Sequence, residues 1–97
     1  MITLNKLAAR CLEIALRKGK INQYTSARAL LMAISSEWRK LLSATKLRSG
    51  HIPEYSEQEE KAADVIISTL TYLKRIGCEN IERLIKDKVD FNDKDSD

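Results

Sequence analysis

Apolar residues recur at spacings of three and four along most of this chain, and four amphipathic helical segments follow from that rhythm. The first runs from about Leu4 to Gly19, with Leu4, Leu7, Ala8, Cys11, Ile14 and Ala15 on one stripe. Thr3 is placed to cap its start and Gly19 to stop it. The second runs from about Ser26 to Lys46, with Ala27, Leu30, Leu31, Ile34, Trp38, Leu41 and Leu42 as its stripe and Thr25 or Ser26 as its cap. The third opens on a capping box, Ser56-Glu57-Gln58-Glu59, and runs to about Ile76. Gly77 ends it. Asn80 then caps a fourth segment from about Ile81 to Phe91, with Ile81, Leu84, Ile85 and Val89 facing inward. Residues 47–55, broken by Gly50 and Pro53, read as the one clear loop, and residues 92–97 as a polar, frayed tail.

The third segment changes this picture. From Ala62 to Leu73 it is apolar on more than one face, so it must be covered on two sides. In so short a chain a second copy is the expected second cover. The β-branched run Val65-Ile66-Ile67 leans toward a strand, but the capping box and the length of the pattern predict helix. Asp64 is a lone carboxylate just inside the apolar run. It needs a cation, a metal or a hydrogen-bond donor beside it.

Composition narrows the class. Ninety-seven residues fit a single domain, residues 1–97, with a thin core. Three Gly and one Pro argue against a turn-rich all-β fold. The net charge of +3 hides a split, +8 over residues 1–51 and −5 over residues 52–97. The basic half can attract a polyanion or face the acidic half, and its charges are spread along helices rather than clustered. No helix concentrates positive charge as a recognition helix would, which argues against nucleic acid as partner. No apolar run is long enough to cross a membrane, so a cytoplasmic protein is expected. Two Cys make no disulfide framework, and Cys11 reads as a small buried hydrophobe. Trp38 reads as a packing anchor. His51, the only His, has no ligand-spaced partner in its loop and reads as solvated.

The residues able to carry chemistry lie on the second and third segments. Glu37 and Lys40 are three apart, as are Lys61 and Asp64, so each pair shares a helix face. Packed antiparallel, the two helices would bring all four side chains together. Carboxylates at i and i+3 on facing helices are how bundles build divalent-metal sites.

At this point the chain resembles a known family. Leu31-Met32-Ala33-Ile34-Ser35-Ser36-Glu37-Trp38-Arg39-Lys40-Leu41-Leu42 is similar to the first metal helix of the MazG-like, all-α nucleoside triphosphate pyrophosphohydrolases, and Glu59-Glu60-Lys61-Ala62-Ala63-Asp64-Val65-Ile66-Ile67 to the second. Ile76-Gly77-Cys78 and the stretch from Ile81 to Asn92 resemble the next turn and a helix ending in Lys-x-x-x-Asn. The likeness covers about residues 30–94, roughly two-thirds of the chain, in the family's order. It implies a compact four-helix MazG-like bundle that forms a homodimer or homotetramer, in agreement with the doubly apolar stretch Ala62–Leu73, which points to the third helix as the contact. It also implies Mg²⁺ held by a Glu-x-x-Glu and a Glu-x-x-Asp pair, with a nucleoside triphosphate split to pyrophosphate and monophosphate. Lys88 and Asn92 would contact phosphates.

The chain departs from the family pattern at the metal. Glu37 and Asp64 match two of the four carboxylates, but Lys40 and Lys61 stand at the other two. The local formal charge goes from −4 to 0, and a protonated lysine is no magnesium ligand. Three readings follow. In the first, Lys40 pairs with Asp64 and Lys61 with Glu37, and the chemistry is lost. In the second, the ammonium groups bind nucleotide phosphates without metal. In the third, Glu60, four residues before Asp64, or Glu57, a turn earlier, restores an active Mg²⁺ site. The expected protein is therefore an impaired pyrophosphohydrolase relative. The alternatives are an active Mg²⁺-dependent enzyme and a non-catalytic nucleotide-binding or protein-interaction module.

Overall fold

The computed structural model describes residues 2–94. Four helices follow in chain order: α1 (Leu4–Arg17), α2 (Ala27–Leu42), α3 (Glu57–Arg75) and α4 (Ile81–Lys94). Among the described residues the only β feature is an isolated bridge between Arg48 and Ser56. The all-α expectation holds, and Val65-Ile66-Ile67 is helical.

Local chemistry sets the helix starts. Thr3 Oγ1 accepts from the Lys6 N–H at 3.1 Å and Ser26 Oγ from the Ala29 N–H at 3.1 Å. Ser56 and Glu59 close a complete capping box, and Asn80 Oδ1 accepts from the Arg83 N–H at 3.0 Å. Gly19 and Gly77 have φ of +71° and +92°, the left-handed conformation that ends a helix at little cost only in glycine.

Tertiary contacts move two of the ends. α2 stops at Leu42, short of Lys46, because the chain beyond it is bonded to the start of α3. The Thr45 N–H donates to Glu57 Oε1 at 2.6 Å, and the Glu57 N–H donates to the Leu47 carbonyl at 2.7 Å. α4 continues past Phe91 to Lys94, supported by the pairs Arg83–Asp87 (3.7 Å) and Lys86–Asp90 (2.8 Å) and by the Lys88 ammonium over the Phe91 ring. Of the expected frayed tail, residues 95–97 lie outside the described residues.

α3 is the spine. Its first turn is tied to the residues after α2, while Arg75 at its far end donates to the carbonyls of Asn22 (2.8 Å) and Thr25 (2.9 Å), just before α2. The two helices therefore run antiparallel. α1 packs along another side of α3, so the cover expected from a second copy comes partly from within the chain. α1 and α2 do not pack on each other. A groove of about 230 Å³ stays open between them, floored by Ile67, Ser68 and Thr71 of α3.

The core is small: Ala8, Leu70 and Ile81 form its cluster, with Leu30 buried elsewhere on α2. Leu31, Trp38 and Leu42 stay exposed on the outer edge of the α2 stripe, so Trp38 is half exposed rather than a core anchor. α4 is fixed by its first turn alone. Asn5 Oδ1 accepts from the N–H groups of Ile81 (2.8 Å) and Glu82 (3.1 Å), and Glu82 Oε1 accepts from the Leu4 N–H at 3.0 Å.

Candidate functional site

Antiparallel packing of α2 on α3 brings Glu37 and Lys40 close enough to Asp64 to act on its carboxyl, with Lys61 one turn before Asp64 on the same helix. The ion pairs form within each helix. Lys40 Nζ lies 3.3 Å from Glu37 Oε1, and Lys61 Nζ lies 4.0 Å from Asp64 Oδ2 and 3.9 Å from Glu60 Oε2. The pairing expected from the sequence, Lys40 to Asp64 and Lys61 to Glu37, is replaced by these i, i+3 pairs. Residues three apart on a helix are already neighbours, so an in-helix pair needs no further ordering of long side chains.

Asp64 records the crowding across the interface. Burial pushes its carboxyl above the ordinary value, and the Glu37 carboxylate adds to the rise, as does Glu60 more weakly; Lys61 and Lys40 act the other way. The two lysines and two carboxylates at these four positions sum to zero formal charge.

Glu60 belongs to a different structure, a clasp holding the loop of residues 47–55 onto α3. Ser49 is buried, and its hydroxyl donates to Glu60 Oε1 at 2.5 Å while accepting from the N–H groups of His51 and Ile52, each at 3.1 Å. Glu60 Oε2 lies 2.7 Å from His51 Nδ1. An ionised carboxylate only accepts, so Nδ1 carries the proton. His51 is therefore not merely solvated: its ring is open to water but tied at one nitrogen. Both Glu60 oxygens are engaged, and Glu57 is taken by the Thr45 N–H.

The clasp leaves a pH signature. Hydrogen bonds from Ser49 and then His51 hold the Glu60 carboxyl below its usual value. A depressed carboxyl stabilises the fold above its unfolded value, about 4.3, and the contribution is lost as pH falls through the folded value. Melting temperatures of Glu60→Gln, followed from pH 6 downward, should therefore fall less steeply with acid than those of the wild type. Identical slopes would show that the clasp adds nothing in solution.

Lys88 and Asn92 stand one turn apart on α4, both exposed. α4 packs on α1 and α3 but not on α2, so a single chain does not assemble them with Glu37 and Lys40. Cys11 and Cys78 are unpaired and half-buried against the core cluster. Burial pushes the Cys11 thiol up, against the weaker effect of Arg10, as suits a small packed hydrophobe.

Among the described residues, no three His, Cys, Asp or Glu side chains are arranged to hold a metal ion. Among the described residues no helix is long and apolar enough to cross a membrane. Fold and site together define an all-α protein with a charge-compensated quartet between two antiparallel helices. Comparison with protein families, curated proteins and solved structures finds no match.

Proposed function

We propose that this chain is a MazG-like helical protein in which internal ion pairs have taken the place of the metal, a cytoplasmic, self-associating module that no longer hydrolyses nucleoside triphosphates. The observation that carries the reading is the double pairing of Lys40 with Glu37 at 3.3 Å and of Lys61 with Asp64 at 4.0 Å, at the four positions where the resemblance asks for carboxylates. A magnesium ion requires anionic or neutral oxygen ligands, and two ammonium groups among four side chains do not fit it. Rescue by Glu60 is disfavoured by its bonds to Ser49 and His51, which would have to break first. The pairs neutralise the carboxylates within each helix and do not bridge α2 to α3, and ion pairs of this kind contribute little net stability.

The test is a pyrophosphate-release assay on the purified chain with Mg²⁺ and each common deoxynucleoside triphosphate. The expected result is release no faster than from Glu37→Ala and Asp64→Ala. Turnover by the wild type that both substitutions abolish would overturn the reading in favour of an active Mg²⁺ enzyme.

A further inference from the structure

α4 is a helix without a cover. It is about 21 Å long at 14 residues, and every residue after Ile81 is exposed. Yet the stripe that begins with buried Ile81 continues through Leu84, Ile85 and Val89 on the same face. A helix this short is marginal in water by itself and takes its stability from packing of its apolar face.

The whole chain carries the same deficit. A folded monomer of 11.1 kDa exposes about 5,700 Å² by the usual mass scaling, whereas this chain exposes 7490 Å². Its radius of gyration is 14.9 Å, against about 12.5 Å for a single domain of this length. The excess is roughly 1,800 Å² per chain, so two chains that each buried it would form an interface in the range of obligate homodimers.

The groove between α1 and α2 supplies a seat of matching character. Ile14, Leu30 and Ile67 give it apolar walls, and Ala15, Ala33 and Ser68 are small enough for a helix backbone to approach closely. One carboxylate, Glu37, and one cation, Lys20, line it, and one cation, Lys88, sits within the α4 stripe between Ile85 and Val89. We propose that α4 of a second copy docks in this groove, reciprocally about a twofold axis, with Lys88 meeting Glu37. The site around Glu37 is then incomplete in one chain, and the second copy contributes to it. This inference rests on the self-association in the proposed function and is independent of whether the metal has been lost.

Native Cys11 lines the groove and serves as the reporter. In a Cys78→Ala background, Leu84→Cys, Ile85→Cys and Val89→Cys are made one at a time and oxidised, alongside Cys78→Ala alone as control. At least one should give a disulfide-linked species of twice 11.1 kDa that the control does not form. Sedimentation equilibrium of the wild type is run in parallel. A monomer overturns both the docking and self-association. A dimer in which none of the three variants cross-links overturns the docking alone, as does a disulfide formed within one chain.

Discussion

Replacing both site lysines by glutamate, Lys40→Glu together with Lys61→Glu, is expected to raise the Mg²⁺ affinity of the chain well above that of the wild type. The substitutions turn the quartet from two cations and two anions into four anions, spaced i and i+3 on two facing helices. Without metal the variant should be less stable than the wild type. Asp64 is already pushed up by burial and by Glu37, and two further carboxylates add to that repulsion. Mg²⁺ should reverse the loss, because an ion that binds only the folded chain stabilises it by about 2.7 kcal/mol at a hundredfold excess over its dissociation constant. For a domain of this size that is a rise of roughly 10–20 °C in melting temperature. The comparison is a thermal melt of both proteins with and without Mg²⁺. A double variant indifferent to Mg²⁺ would mean that the four positions do not face one another, and the resemblance would lose its central support.

The elements of the fold that were legible in the sequence are those set within a few residues of one another. Thr3, Ser26, Ser56 with Glu59, and Asn80 cap the helices that follow them in the sequence, and Gly19 and Gly77 end theirs in the left-handed conformation. Long-range bonds account for the departures. Nothing in the period of α2 foretells that Thr45 will bond Glu57, and that bond stops the helix at Leu42. The clasp of Ser49 and His51 on Glu60 has no spacing rule either, because a loop returning to a helix sets its own register. Its only trace in the sequence is a Gly50–Pro53 turn just ahead of an acidic first helical turn. The approach of Glu37 and Lys40 to Asp64 follows from two helical patterns joined by one loop. Which lysine meets which carboxylate depends on side-chain reach, and there the in-helix neighbour wins.

Ile81→Ala is expected to be the most damaging small substitution in the chain. Ile81 is the largest fully buried side chain, 1% exposed, and it joins three elements by packing on Ala8 of α1 and Leu70 of α3 from the first turn of α4. Truncating it removes apolar contact and leaves a cavity, at a cost of about 2–5 kcal/mol. Total stability for a domain of this length starts near 5 kcal/mol, so the variant should melt at least about 10 °C lower or fail to fold. A loss below about 1 kcal/mol would mean that the tie between Asn5 and the start of α4 holds the helix without the side chain. The informative contrast is Ile85→Ala, one turn further on and 40% exposed. In an isolated chain that residue is only partly covered, and its truncation should cost much less than that of Ile81 whatever the protein concentration. If α4 lies in the groove of a second copy, Ile85→Ala must instead weaken the assembly. Its urea midpoint should then fall furthest below the wild type at the lower of two well-separated protein concentrations, since folding and association draw on the same surface. Four denaturation curves, two proteins at two concentrations, thus separate a helix held only by Ile81 from one held along its whole length.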